Sequence, residues 1–262
     1  MEQIPAPLHE AMRLRSIDRL AEQTVQSAAR FEREMTWDSL PPLTVNPELA
    51  EHNRIVTVNR SNPAYSAFDM LRTRLLQCLR QNGWTSVAIT SPRASCGKSV
   101  VALNLAFSLA NQADCRTVLM DLDLKQPGLG RLLGLKKPSA MEDFLNGTCE
   151  LHEVLHRYGD NLAIGINSRP VKFSAELLQS LNAAKALRDM RKRMTPDVIL
   201  FDLPPMLPSD DVTAFLPNVD CAILVVAADQ STLDELDVCE RELSERSNVA
   251  GVVLNRCRYG LF

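Results

Sequence analysis

The apolar runs of this chain do not alternate with polar residues, and four of them stop at residues suited to phosphate or nucleotide chemistry. Ser86–Thr90 runs into Ser91–Ser99, which contains Cys96, Gly97, Lys98 and Ser99. Thr117–Met120 stops at Asp121 and Asp123, Asp197–Phe201 stops at Asp202, and Val249–Asn255 ends on its own asparagine. Continuous apolar strands are covered on both faces, which predicts a mostly parallel sheet flanked by helices. Ligands of such sheets lie at the carboxyl ends of the strands. The Gly-Lys-Ser segment and the three strand-end side chains therefore fall on one edge, as a magnesium–nucleotide site requires.

The remaining pattern fits one α/β domain with an N-terminal extension. Phe68, Leu71, Leu75 and Leu79 share a helical face that stops at Asn82-Gly83. Val100–Ala110 is apolar nearly all round, so it predicts a buried helix. Helices are also expected over Glu176–Met194, Asp211–Leu216 and Leu233–Ser244, with further strands at Asn161–Ile166 and Asp220–Ala227. Gly128–Leu135, Met141–Leu145 and Leu151–Leu155 read as short helical or loop pieces. Residues 8–35 carry an apolar stripe, Ile17, Leu20, Thr24, Ala28, Phe31 and Met35, between prolines on either side. This predicts an amphipathic helix that either packs on its own domain or docks on a partner. Residues 41–64 read as a linker with a short strand at Arg54–Val58. The division is thus 1–60, extension and linker, and 61–262, catalytic domain.

Composition narrows the function classes. The 262 residues carry a net charge of −3, so no global charge favours nucleic acid, and none is expected as a partner. The seven cysteines are scattered without a Cys-x-x-Cys pair and read as reduced thiols. No run reaches the roughly 18 apolar residues of a membrane span, and the N-terminus lacks the apolar core of a signal peptide. A cytoplasmic protein is expected, with any membrane contact made through a partner.

The candidate chemistry follows from residue types. Backbone N–H groups of Ala94, Ser95, Cys96, Gly97, Lys98, Ser99 and Val100 would wrap the nucleotide phosphates at a helix N-terminus. Lys98 would reach the β- and γ-phosphates, and Ser99 would ligate Mg²⁺. Only one glycine stands in this loop, although positive φ and close phosphate approach both favour glycine. Asp121 and Asp123, two apart, would point the same way on an extended strand, to hold a metal and to take a proton from an incoming hydroxyl. Asp202 would support the metal from the neighbouring strand. Lys98, Asp121, Asp123 and Asp202 form the catalytic set, and Ser99, Asp123 and Asp202 the metal set. Cys96 sits inside the loop near a helix N-terminus and Lys98, and reads either as a small neutral filler or as a redox-sensitive thiol. Arg188, Arg191, Lys192 and Arg193 cluster at a helix end, either as a solvated face or as a surface for a partner or phosphotyrosine.

Over about residues 62–258 these segments resemble the bacterial tyrosine kinases of capsule and exopolysaccharide synthesis, within the MinD/ParA-like P-loop ATPases. Thr90–Ser99 is similar to their Walker A segment. Val118–Pro127, with Lys125 after the Asp-x-Asp, resembles Walker A′, and Val198–Pro205, with its double proline, resembles Walker B. Ser174–Ser180 and Asp211 match two further family positions. Val252–Asn255 resembles the strand whose asparagine reads the adenine edge, which implies Asn255, with Arg256 beside it, as base contacts.

The resemblance implies a P-loop NTPase fold, ATP and Mg²⁺, autophosphorylation on tyrosine, a homo-oligomeric ring, and activation by a membrane-embedded, Wzz-like chain-length regulator at the inner membrane face. Tyr259 is the tail tyrosine such a reaction would use. The chain departs from the family in lacking a tyrosine cluster, with three tyrosines in all. At the family's Glu-x-x-Arg-x-x-Arg ring helix it has Ser66, Asp69 and Arg72. Ser95 replaces a glycine, and Arg93 stands where MinD/ParA-type ATPases place a second loop lysine. The competing expectations are an ATPase switch of that type and a catalytically degenerate nucleotide-binding scaffold.

Overall fold

A parallel sheet forms here because five of its six parallel strands are buried runs, joined by helical crossovers, while the sixth, Asn248–Asn255, lies half-exposed at the edge. The structure is a computed structural model and describes residues 24, 27–28, 30–59, 62–135, 141–228 and 230–257. It divides into two compact units, Met1–Ser39 and Leu40–Phe262. In the first, residues 30–38 form helix α1, with Phe31 and Met35 of the predicted stripe exposed. Ile17 and Leu20 lie outside the described residues.

The second unit runs α2 (Pro47–His52), α3 (Tyr65–Asn82), β1 (Ser86–Ser91), α4 (Lys98–Ala110), β2 (Thr117–Asp121), α5 (Leu129–Leu132), α6 (Met141–Leu145), α7 (Leu151–Val154) and β3 (Leu155–Tyr158). It continues through β4 (Leu162–Gly165), α8 (Ser174–Leu178), α9 (Leu181–Met194), β5 (Val198–Pro205), α10 (Asp211–Phe215), a 3-10 turn (Leu216–Asn218), β6 (Cys221–Ala227), α11 (Leu233–Arg246) and β7 (Asn248–Asn255). The strand order is β3-β4-β2-β5-β1-β6-β7. All neighbours are parallel except β3 and β4.

Side chains alternate across this sheet, so each face has its own core. Val87, Ile89, Leu119, Val198, Leu200 and Ile223 pack with α3 and α4. Ala88, Ile199 and Phe201 belong to the other face, where Phe201 meets Phe215 of α10 edge-on at 4.9 Å between centroids. The expected helices on both faces are present.

Five sequence expectations need correction. Arg54–Val58 is a series of turns and not a strand. The buried amide of Asn104 on α4 explains this: its Oδ1 accepts the N–H groups of Val56 and Thr57, and its Nδ2 donates to the carbonyl of Arg54. The backbone groups a strand partner would use are thus already satisfied. The stretch read as linker also holds α2, which starts at Pro47 under an Asn46 cap that accepts from Glu48 and Leu49. Leu43, Ala50 and Ile55 enter the core, so the compact division falls at residue 39/40 and not near 60. Finally, Glu176–Met194 is two helices, because the Ser180 side chain accepts from Ala183 N–H and starts α9 afresh. Leu155, taken with the preceding helical piece, instead opens the antiparallel strand β3.

Candidate nucleotide site

Strand register sets the acids side by side. Asp121 on β2 pairs with Asp202 on β5, and β1, which delivers the phosphate loop, lies on the far side of β5. Asp202 sits within β5, which continues through Pro204 and Pro205. Thr90 Oγ1 donates to the Pro204 carbonyl at 2.7 Å, holding the strand ends together.

The loop turns back into α4 through two left-handed residues, Ser95 (φ 65°) and Gly97 (φ 91°). Serine therefore adopts the conformation that the sequence reading marked as glycine's, at some cost in backbone strain. No side chain caps α4, so the first-turn amides are left for an incoming anion. Ala94 and Ser95 are exposed, Cys96 is buried, and Gly97, Ser99 and Val100 are half-buried. Asn255, at the end of β7, donates its Nδ2 to the Cys96 carbonyl at 2.8 Å and lies against Gly97. It thus also braces the loop, a role its expected base contact did not suggest. Arg256 is exposed in a left-handed conformation beside it. Tyr259 lies outside the described residues.

Lys98 is the centre of the site. It is 8% exposed, and its Nζ donates to Asp123 Oδ2 at 2.7 Å, to Ser99 Oγ at 3.2 Å, and stands 3.6 Å from Asp202 Oδ1. Burial opposes its charge, but Asp202 and Asp123 outweigh burial and hold the ammonium above its ordinary range. Burial pushes the Asp202 carboxyl up, against the pull of Lys98 and the Ser99 hydroxyl. Asp121 is raised well above the usual carboxylate range, first by burial and then by the charge of Asp202.

The expected parallel action of Asp121 and Asp123 is only partly realised. β2 ends at Asp121, and Asp123 reaches Lys98 from the following loop, where its Oδ1 accepts from Gln126 N–H. Asp121 Oδ2 accepts from the N–H groups of Gly128 and Leu129 at the start of α5, so half of this carboxylate is a structural cap.

Asp121 Oδ1 and both Asp202 oxygens are buried and accept no direct hydrogen bond, although Lys98 Nζ and the Ser99 hydroxyl lie near Asp202. Three carboxylates thus face one ammonium, leaving buried negative charge that a divalent cation would balance. Among the described residues no three His, Cys, Asp or Glu side chains form a self-sufficient metal cage. A phosphate-loop magnesium needs none, because phosphate oxygens and water complete its shell. Ser99, Asp123 and Asp202 fit that role.

Two contacts escaped the sequence because they join distant segments. Lys125 Nζ donates to Ser209 Oγ at 3.0 Å and to Asp211 Oδ1 at 2.9 Å, while Asp211 Oδ2 accepts from Ser174 Oγ at 2.7 Å. The matched positions Lys125, Asp211 and Ser174 are therefore one network bracing the loop after β2. Arg93 pairs with Glu235, which also closes the capping box of α11 with Thr232. Ser66 is exposed on α3, whereas Asp69 and Arg72 turn inward: Asp69 Oδ1 accepts from Arg72 and from Ser108 of α4. All seven cysteines are free thiols. No helix among the described residues is long and apolar enough to cross a membrane.

The chain is similar in sequence and fold to known proteins. EpsB of Ralstonia solanacearum is 28% identical over 199 residues, covering 74% of this chain and 26% of EpsB. Tyrosine-protein kinase CpsD of Streptococcus pneumoniae serotype 4 is 28% identical over 173 residues, covering 65% of this chain and 75% of CpsD. The kinase domain of Escherichia coli tyrosine kinase ETK superposes with a TM-score of 0.68 at 22% identity, covering 78% of this chain and 81% of that domain, which shows the shared fold. The chain spans about a quarter of the length of the first curated relatives it matches. Residues 84–259 match the family model described as "ParA: NUBPL iron-transfer P-loop NTPase". With a phosphate loop on β1, paired acids on β2 and β5, and that match over most of its length, the chain belongs to the ParA family of P-loop NTPases.

Proposed function

We propose that this chain is an ATP- and Mg²⁺-dependent kinase module that phosphorylates tyrosine and acts in capsule or exopolysaccharide production. The observation that carries this reading is Asp121, whose Oδ1 is unpartnered and whose carboxyl is raised beside the Lys98–Asp202 pair. A carboxylate with a raised pKa is a stronger base, as removal of a phenolic proton requires. The names of CpsD and ETK, both tyrosine kinases, support the choice of acceptor.

The residue roles follow. Lys98 leaves Asp123 to neutralise the β- and γ-phosphates, and the amides from Ala94 to Val100 cradle them. Ser99, Asp123 and Asp202 would hold Mg²⁺, which would supply charge neutralisation at the phosphate oxygens. Asn255 and Arg256 flank the base. The tyrosine oxygen forms the new P–O bond as the β,γ-bridging bond breaks, and the phenolic proton passes to Asp121. The module would be recruited to the inner membrane face by a Wzz-like chain-length regulator and would work as a homo-oligomer.

A second reading is an ATPase switch of the MinD/ParA kind, and the two tyrosines among the described residues favour it. Tyr158 is packed edge-on against Phe107 at 4.9 Å, and Tyr65 opens α3, so neither is a free acceptor tail. Incubation with Mg²⁺ and γ-labelled ATP, following protein label and free phosphate together, separates the two. Tyrosine label that Lys98→Ala abolishes supports the kinase. Free phosphate alone, also with the cytoplasmic part of a chain-length regulator present, supports the switch and overturns the kinase.

A further inference from the structure

We propose that the groove between α9 and the 3-10 turn Leu216–Asn218 is a docking site for an acidic peptide segment that inserts one apolar side chain. The groove has a volume of about 220 Å³. Its floor is Leu187 and Met190 of α9 and Phe201 of β5, its outer wall is Pro217, and Arg188 and Arg191 stand at its rim. It opens on the face of the sheet opposite α4 and is separate from the phosphate loop.

Chemistry selects the occupant. The space is smaller than the roughly 300–1,000 Å³ of small-molecule pockets and suits a single side chain. The helix beside it is strongly basic: Lys185, Arg188, Arg191, Lys192 and Arg193 stand against one acid, Asp189. Arg193 is taken by Glu150 at 3.1 Å. Lys185, Arg188, Arg191 and Lys192 form no salt bridge among the described residues. The acid whose field reaches Arg191 is Asp220, and its Oδ2 already accepts from the N–H groups of Thr85 and Ser86 and from the Ser86 hydroxyl. Ala184, Arg188 and Arg191 are spaced four and three apart, so they line the same side of α9 along the groove. A partner with carboxylates spaced along one strand of chain would meet both guanidinium groups in the two-pronged geometry arginine favours. An apolar anchor among those carboxylates would fill the floor.

A membrane surface is the competing occupant of a basic helix, but lipid binding uses a protruding apolar face, whereas this floor is recessed below its charged rim. The test uses the full chain and fluorescence anisotropy with a labelled peptide in which one Phe stands among Asp and Glu. Binding should weaken at least about tenfold in Arg188→Glu/Arg191→Glu and about tenfold when the peptide Phe is replaced by Ser. Nucleotide affinity of the double variant should stay at its wild-type value and its circular dichroism spectrum should show the same fold, since the changed side chains are exposed and lie on the face of the sheet opposite α4. Three outcomes overturn the proposal: no peptide binding, binding indifferent to the double charge reversal, or co-sedimentation with phosphatidylserine vesicles that the peptide does not compete.

Discussion

Lys98 Nζ lies 2.7 Å from Asp123 Oδ2, so the lysine that should bind phosphate is already held by an acid of its own site. Nucleotide phosphates and Asp123 compete for one ammonium. Asp123→Asn removes one competitor while keeping the shape. Nucleotide binding in EDTA is expected to be unchanged or up to about tenfold tighter, a gain of up to about 1.4 kcal/mol. Turnover with Mg²⁺ should fall by at least about 10²-fold, because a carboxylate placed for the metal is gone. Calorimetric titration beside a turnover assay checks both. Weaker binding in EDTA would show that Asp123 positions Lys98 and does not hold it back.

Asp121 gives a pH signature. Its folded-state carboxyl is raised by burial and by Asp202, so the folded chain binds that proton more tightly than the unfolded chain. The favourable contribution is complete below the ordinary carboxylate range and is lost as pH rises through the raised value. Asp121→Asn stays neutral throughout and keeps an oxygen for the Gly128 and Leu129 N–H groups. The variant should melt higher than wild type at pH 8, by about 2–4 °C for each kcal/mol relieved. The gain should shrink toward pH values near the ordinary carboxylate value of about 3.9. Turnover should be lost by at least about 10²-fold. A melting difference constant across pH would overturn the assignment.

The sheet and its functional edge were legible because the signals are local. Apolar runs such as Val118–Met120 and Val198–Phe201 state their own burial, and the residue after each run falls at the ligand edge. What was not legible depends on partners distant in sequence. Arg54–Val58 has strand composition, but Asn104, some fifty positions away, supplies the hydrogen bonds a neighbouring strand would have made. β3 was missed because Leu155–Tyr158 is short, mixed in polarity and paired only through a hairpin with β4. Within the site, residue types revealed the acids but not how their oxygens are shared. The capping duty of Asp121 depends on the loop that returns Gly128 to it.

Ser95 occupies left-handed backbone at φ 65°. A non-glycine residue there costs roughly 1–2 kcal/mol, part of which glycine would return in unfolded-state entropy. Ser95→Gly should therefore be neutral or stabilising by up to about 1 kcal/mol in urea denaturation. Nucleotide affinity should be retained, since the loop keeps its path. Ser95→Val, β-branched at the same φ, should weaken both. Equal destabilisation by Gly and Val would show that the serine side chain matters and its backbone does not.

Gly97 is constrained twice, by φ 91° and by Asn255, whose Nδ2 would lie 2.2 Å from an added Cβ. Gly97→Ala should therefore displace the Asn255 amide from the Cys96 carbonyl and reduce nucleotide affinity at least about tenfold. Asn255→Ala alone removes one hydrogen bond, worth about 1 kcal/mol, and with it a loop brace. In the double variant the clash is absent and only the backbone cost of Gly97→Ala remains. Its loss should thus be smaller than the sum of the single losses by about 0.5–3 kcal/mol, the range of coupling between residues in contact. A double-mutant cycle on nucleotide affinity measures this directly, and strict additivity would mean that Asn255 and Gly97 act on the nucleotide independently.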